Sequence, residues 1–107
     1  MNLKVVFFLL LVTAVILEVI GDVYFKKWSL QNRTWMMLIG FAFYALGSLF
    51  WAVSLRYELL SKAGIIFMLM NLVLIALVGV FYFNENLSII NKIGVALAII
   101  SIILLEV

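Results

Sequence analysis

The stretch VVFFLLLVTAVILEVIGDVYF, Val5 to Phe25, decides how the rest of the chain is read. It is apolar apart from Thr13, Glu18 and Asp22, and its 21 residues match the roughly 20 that a helix needs to cross a bilayer core about 30 Å thick. The pattern returns three times. Trp35 to Leu55 and Ala63 to Phe83 carry no charge, and Asn71 is the one strongly polar residue of the latter. Leu87 to Leu105 is interrupted by Ser88, Asn91, Lys92 and Ser101. The expected architecture is an all-α membrane protein with four transmembrane helices in a single domain spanning 1–107. The helices are expected over about 4–26, 34–55, 63–83 and 87–106, joined by hairpin-length connections.

Composition narrows the function from the other side. Hydrophobic residues make up 69% of the chain and charged residues 11%, against about a quarter charged in soluble domains. A chain of 107 residues cannot hide that much apolar surface in one water-soluble core, and the same hydrophobicity excludes disorder. Without Cys or His there is no thiol nucleophile, disulfide, histidine base or common zinc site. No metal, no cofactor and no enzymatic activity are expected. A net charge of +2, scattered along the chain, gives no footprint for nucleic acid.

Lys4 before an apolar run resembles a signal peptide, but no small-x-small cleavage site follows, so a retained first helix is expected. Trp28, Trp35, Tyr57 and Tyr82 fall at expected helix ends, where amphipathic rings settle at the membrane interface. An even helix number puts both termini on one side. That side would carry Lys4, Arg56 and Lys62, and the other Lys26, Lys27, Arg33 and Lys92. Three against four is almost no bias, so the positive-inside rule fixes no orientation.

Glu18 lies about three residues past the middle of the first apolar run, ~4–5 Å at the helical rise. A carboxylate at such depth is costly and usually faces protein or a wet cavity. Low dielectric favours its protonated form, so it can hold a proton or neutralise a cation, but not both. That competition is the minimal device for proton–cation exchange; a structural hydrogen bond to a neighbouring helix is the alternative. Ala14, Glu18, Gly21 and Asp22 share one helical face, and the two small residues let a helix or ligand approach Glu18. Asp22 either pairs with Lys26 at i,i+4 or takes part in binding a cation. Tyr44, with Gly47, Ser48 and Trp51 along one side of the second helix, is a candidate donor to a buried carboxylate. Phe67 is a candidate wall for a cation and Asn71 a candidate interhelical hydrogen-bonding group. Gly94, Ala98 and Ser101 form a small-residue face suited to close helix contact.

These residues together resemble the small multidrug resistance family, within the drug/metabolite transporter superfamily, over nearly the whole chain. Leu17-Glu18-Val19-Ile20-Gly21 is similar to the family's A-E-V-x-G around its helix-1 glutamate. Lys26 falls where the family has a lysine, Tyr44 matches a helix-2 tyrosine of the substrate chamber, and Phe83 to Ser88 resembles F-x-E-x-L-S. Gly94 and Ser101 fall on the paired small positions through which helix 4 dimerises in that family. The resemblance implies an antiparallel homodimer in which protons and cationic substrates compete for two glutamates during alternating access. The helix-3 segment departs from the family pattern: its tyrosine becomes Gly64, its tryptophan Phe67, and its glycines Leu69 and Asn71. Leu59 stands for a proline and Asp22 for a small helix-1 residue. Substrate identity, whether quaternary ammonium, guanidinium or polyamine, is therefore not carried over.

The expected function is a proton-coupled exporter of small organic cations in the inner (plasma) membrane, acting with protons, the lipid bilayer and a second copy or a paralogous subunit. The alternatives are a flippase-type subunit moving a lipid-linked sugar, which gives Glu18 no task, and a non-transporting small membrane protein. The charge balance yields a first test. Reporter fusions at the C-terminus should reveal both membrane orientations, and one or two added Lys in a single loop should bias them. A population lying wholly one way round would remove the basis for an antiparallel homodimer.

Overall fold

The computed structural model describes residues 2–106, which form α1 (Leu3–Gln31), α2 (Thr34–Ser54), α3 (Leu60–Phe81) and α4 (Ile89–Glu106). The described residues contain no strand. Helices α1, α2 and α3 are long and apolar enough to cross a membrane. Helix α4 is also apolar but shorter, at 18 residues, and it is not among these three. The chain divides into two compact units, Met1–Leu60 and Ser61–Val107.

In the first unit, Asn2 opens α1 by accepting a hydrogen bond from Lys4 N at 2.9 Å. The helix then runs to Gln31, five residues beyond its expected end. Lys26 to Gln31 contains no Gly or Pro and includes good helix formers, so leaving the apolar run does not end the helix. Asn32 ends it by adopting the left-handed region (φ 56°), and its N–H bonds Trp28 O at 2.7 Å. Only Asn32 and Arg33 separate α1 from α2, so the two helices return on each other as an antiparallel pair.

Small residues bring the pair together at two levels. A Cβ on Gly21 would lie 3.0 Å from Gly40 O, and one on Gly40 would lie 3.1 Å from Gly21 O. Seven residues away on each helix, a Cβ on Gly47 would lie 3.2 Å from Ala14 O. Phe7, Leu11, Ala14, Val15 and Val19 form the buried stripe of α1. Phe25 packs edge-on against Phe41 at 5.2 Å and tilted against Tyr44 at 5.3 Å, while Tyr24 stacks on Phe43 at 5.9 Å. At the far end of α2, Ser54 is fully buried and donates to Trp51 O. Trp35 and Tyr57 are exposed at the ends of α2, and Trp28 is half-buried near the end of α1.

In the second unit, α3 starts three residues earlier than expected and stops two earlier. Tyr82 N and Phe83 N both bond Val78 O, Asn84 takes a left-handed φ of 55°, and Glu85 N bonds Gly79 O at 2.9 Å. This wrap makes the connection longer than Asn84-Glu85-Asn86 alone. Ser88, expected within the fourth helix because of its apolar neighbours, instead caps α4: its Oγ accepts from Asn91 N at 3.1 Å. Tyr82 is exposed beside this connection.

The α1–α2 contact predicts a sharp contrast between glycines. Gly47→Leu should destabilise the protein by about 1–3 kcal/mol, because backbone and Glu18 occupy the space its side chain needs. Gly64→Ala meets nothing within 4 Å and should be neutral or stabilise by up to about 1 kcal/mol. Unfolding in sodium dodecyl sulfate followed by circular dichroism measures both, and a Gly47→Leu protein as stable as the parent would sink the packing account.

Candidate functional site

The acidic face of α1 is built against α2. Glu18 lies one residue from the middle of the 29-residue α1, because the helix extends past the apolar run. Its Cγ would be 2.9 Å from a Cβ on Gly47, so the glycine makes the notch in which the Glu18 side chain lies. One turn along, Asp22 Oδ1 accepts a hydrogen bond from the Tyr44 hydroxyl. Tyr44 is the central residue of α2, and its ring occupies the space a Gly21 side chain would need, 2.6 Å from that Cβ position. The bare backbone at Gly21 thus admits the ring whose hydroxyl reaches Asp22.

Two carboxylate oxygens at this face are buried and accept no hydrogen bond: Glu18 Oε2 and Asp22 Oδ2. Leaving a buried acceptor unsatisfied costs about 1–3 kcal/mol, and more when it is charged. Such a face favours whatever supplies protons or positive charge to those oxygens. Helix α2 carries no charged side chain from Thr34 to Ser54, so its contribution is the Tyr44 hydroxyl and the glycine notch.

Five of the expected site residues, Ala14, Glu18, Gly21, Asp22 and Tyr44, come together in the first unit. Tyr44 serves a carboxylate as anticipated, and the one it serves is Asp22. Gly40, which the sequence does not single out, completes the contact; its spacing of seven from Gly47 repeats the spacing of Ala14 and Gly21 and is the available signal. Phe67 and Asn71 lie on α3 in the second unit, both half-buried, and Asn71 Oδ1 is buried without a hydrogen-bond partner. On α4, Gly94 is exposed with nothing within 4 Å of its Cβ position, Ala98 is 5% exposed, and Ser101 is half-buried. Among the described residues no three acidic side chains gather to hold a metal ion.

No protein-family model matches the chain, and no curated protein or solved structure matches it significantly.

The Tyr44–Asp22 bond predicts energetic coupling between the two residues. In a double-mutant cycle of Tyr44→Phe and Asp22→Ala, the losses in stability should be non-additive by about 0.5–3 kcal/mol. Additivity within about 0.3 kcal/mol, measured by detergent unfolding, would mean that the bond does not contribute to the fold.

Proposed function

We propose that this chain is a membrane transporter that exchanges protons for small organic cations, with Glu18 as the group for which the two compete. The observation that carries the reading is the buried Oε2 of Glu18, which accepts no hydrogen bond near the middle of a membrane-length helix. A carboxylate in that position needs a counter-charge or a proton, and each excludes the other. Gly47 leaves room beside it without offering a competing polar group. The likeness of Leu17 to Gly21 to the glutamate motif of small multidrug resistance proteins supports the same assignment.

The reading extends to assembly and place. Helix α4 completes four crossings of the inner membrane, and the working unit is a homodimer of oppositely inserted copies, each bringing one Glu18. The near-even distribution of basic residues supports dual insertion. Proton binding to Glu18 releases the cation on one side, and cation binding expels the proton on the other.

Purified protein in liposomes tests this directly. Adding guanidinium, tetramethylammonium or spermidine should release protons from the parent protein for at least one of the three. Glu18→Gln keeps size and hydrogen-bonding capacity but cannot titrate, so it should remain folded and lose that release by at least about tenfold, a change of ~1.4 kcal/mol or more. Proton exchange at the parental rate in Glu18→Gln, or no response to any of the three cations, would overturn the proposal.

A further inference from the structure

Glu18 and Asp22 stand on successive turns of α1, four rises or ~6 Å apart along the axis, on the face that α2 covers. Each keeps one oxygen, Oε2 and Oδ2 respectively, that is shielded from solvent and has no hydrogen-bond partner. Helix α2 brings few groups to this face. Gly47 offers only space beside Glu18. Tyr44, the one titratable side chain between Thr34 and Ser54, gives its single hydroxyl proton to Asp22 Oδ1. Lys26, one turn further along α1, is exposed, and Asp22 Oδ2 accepts no hydrogen bond from it.

The proton count of the pair decides whether these oxygens are satisfied. With both acids ionised, two like charges sit on neighbouring turns and repel, with one phenol to serve them. With one proton between them, the protonated acid donates to the carboxylate of the other. That single proton removes one of the two charges and gives both orphan oxygens a partner at once. The geometry permits it, because side chains four apart on a helix are neighbours, with Cβ atoms about 5–6 Å apart. The shielding of the two oxygens points the same way. A proton carried on one of them needs no cavity, whereas an ammonium or a guanidinium does.

We propose that Glu18 and Asp22 hold one proton between them, which makes Asp22 a second proton-binding residue. Asp22, tied to α2 through Tyr44, is the fixed member of the pair, and Glu18, beside the Gly47 notch, is the member that meets a cation. As a singly charged cation arrives, the proton leaves to water and the net charge of the pair is unchanged. The shared proton belongs to the resting protein, while its release to a cation rests on the exchange proposed above.

Infrared spectroscopy of the full chain in lipid vesicles at neutral pH tests the pair without any transport. The protonated-carboxyl band should correspond to one group per chain. Asp22 is the only aspartate, so aspartate isotopically labelled at its carboxyl carbon reports that residue alone in the unsubstituted protein. A shared proton requires that this label move part of the band and that labelled glutamate move the rest. Glu18→Gln removes one acid of the pair and should shift the signal that remains from Asp22. Zero or two protonated carboxyls per chain in the parent would overturn the proposal. So would a band that either label leaves wholly in place, or an Asp22 signal unchanged in Glu18→Gln. The two proposals fail separately. The expected bands in a protein that releases no protons to guanidinium, tetramethylammonium or spermidine would sustain the pair and remove the exchanger. Proton release at Glu18 without an aspartate contribution to the band would do the reverse.

Discussion

Where Gly21 meets Gly40, each helix presents bare backbone to the other, and a single added carbon on either would press on a carbonyl about 3 Å away. Inside a bilayer, helices gain little from hiding apolar side chains from equally apolar lipid, so close packing of this kind is what holds them together. The contact fixes both the distance and the register of α1 and α2. From that register follow the rest of the acidic face: Glu18 beside Gly47, the Tyr44 ring over Gly21, and the Tyr44 hydroxyl on Asp22. Shift one helix by a residue and the donor no longer meets its acceptor.

Depth governs the polar groups as well. Glu18, Tyr44 and Asn71 each lie at or within one residue of the middle of their own helix, the depth at which an unsatisfied group is most costly. Tyr44 is engaged by Asp22, which leaves Glu18 Oε2 without a donor. Two carboxylates one turn apart share one phenol unequally: Asp22 is tied to α2 through Oδ1, whereas Tyr44 gives Glu18 no bond, and each acid keeps one buried oxygen without a donor. That difference is why the proposed exchange is assigned to Glu18 rather than to Asp22.

Apolar runs are legible because the membrane's thickness sets their length, and three of the expected spans coincide with helices long enough to cross. Helix ends are less legible, since hydropathy marks where lipid stops and not where a helix stops. Lys26 and Lys27 end the apolar run but continue the helix, and termination waits for the left-handed Asn32. Ser88 looks like part of an apolar run until its hydroxyl is seen capping α4. At the site, Glu18 and Asp22 stand out as charges among aliphatic neighbours, and Tyr44 stands out as a donor. Which carboxylate Tyr44 would serve depends on the helix register, which rests on the Gly40 and Gly47 contacts and has no local signature. The Lys26 spacing points Asp22 along its own helix, whereas its bond to Tyr44 runs across to the next.

The two-residue link between α1 and α2 bears on how the chain enters a bilayer in the first place. Fifteen Leu, Ile, Val and Phe side chains between Val5 and Phe25 favour insertion by roughly 0.3–0.6 kcal/mol each, and two acids near the helix centre oppose it by about 2.5–3.5 kcal/mol each. Asp22 lies a turn further from the centre than Glu18 and opposes insertion less, so the acids offset only a part of what the aliphatic side chains contribute. Helix α2 has no charged side chain and follows after only Asn32 and Arg33. Its Tyr44 then gives Asp22 a hydrogen bond that water would otherwise have supplied. Entering a membrane as a hairpin, the pair would take the acids in together with the helix that faces them.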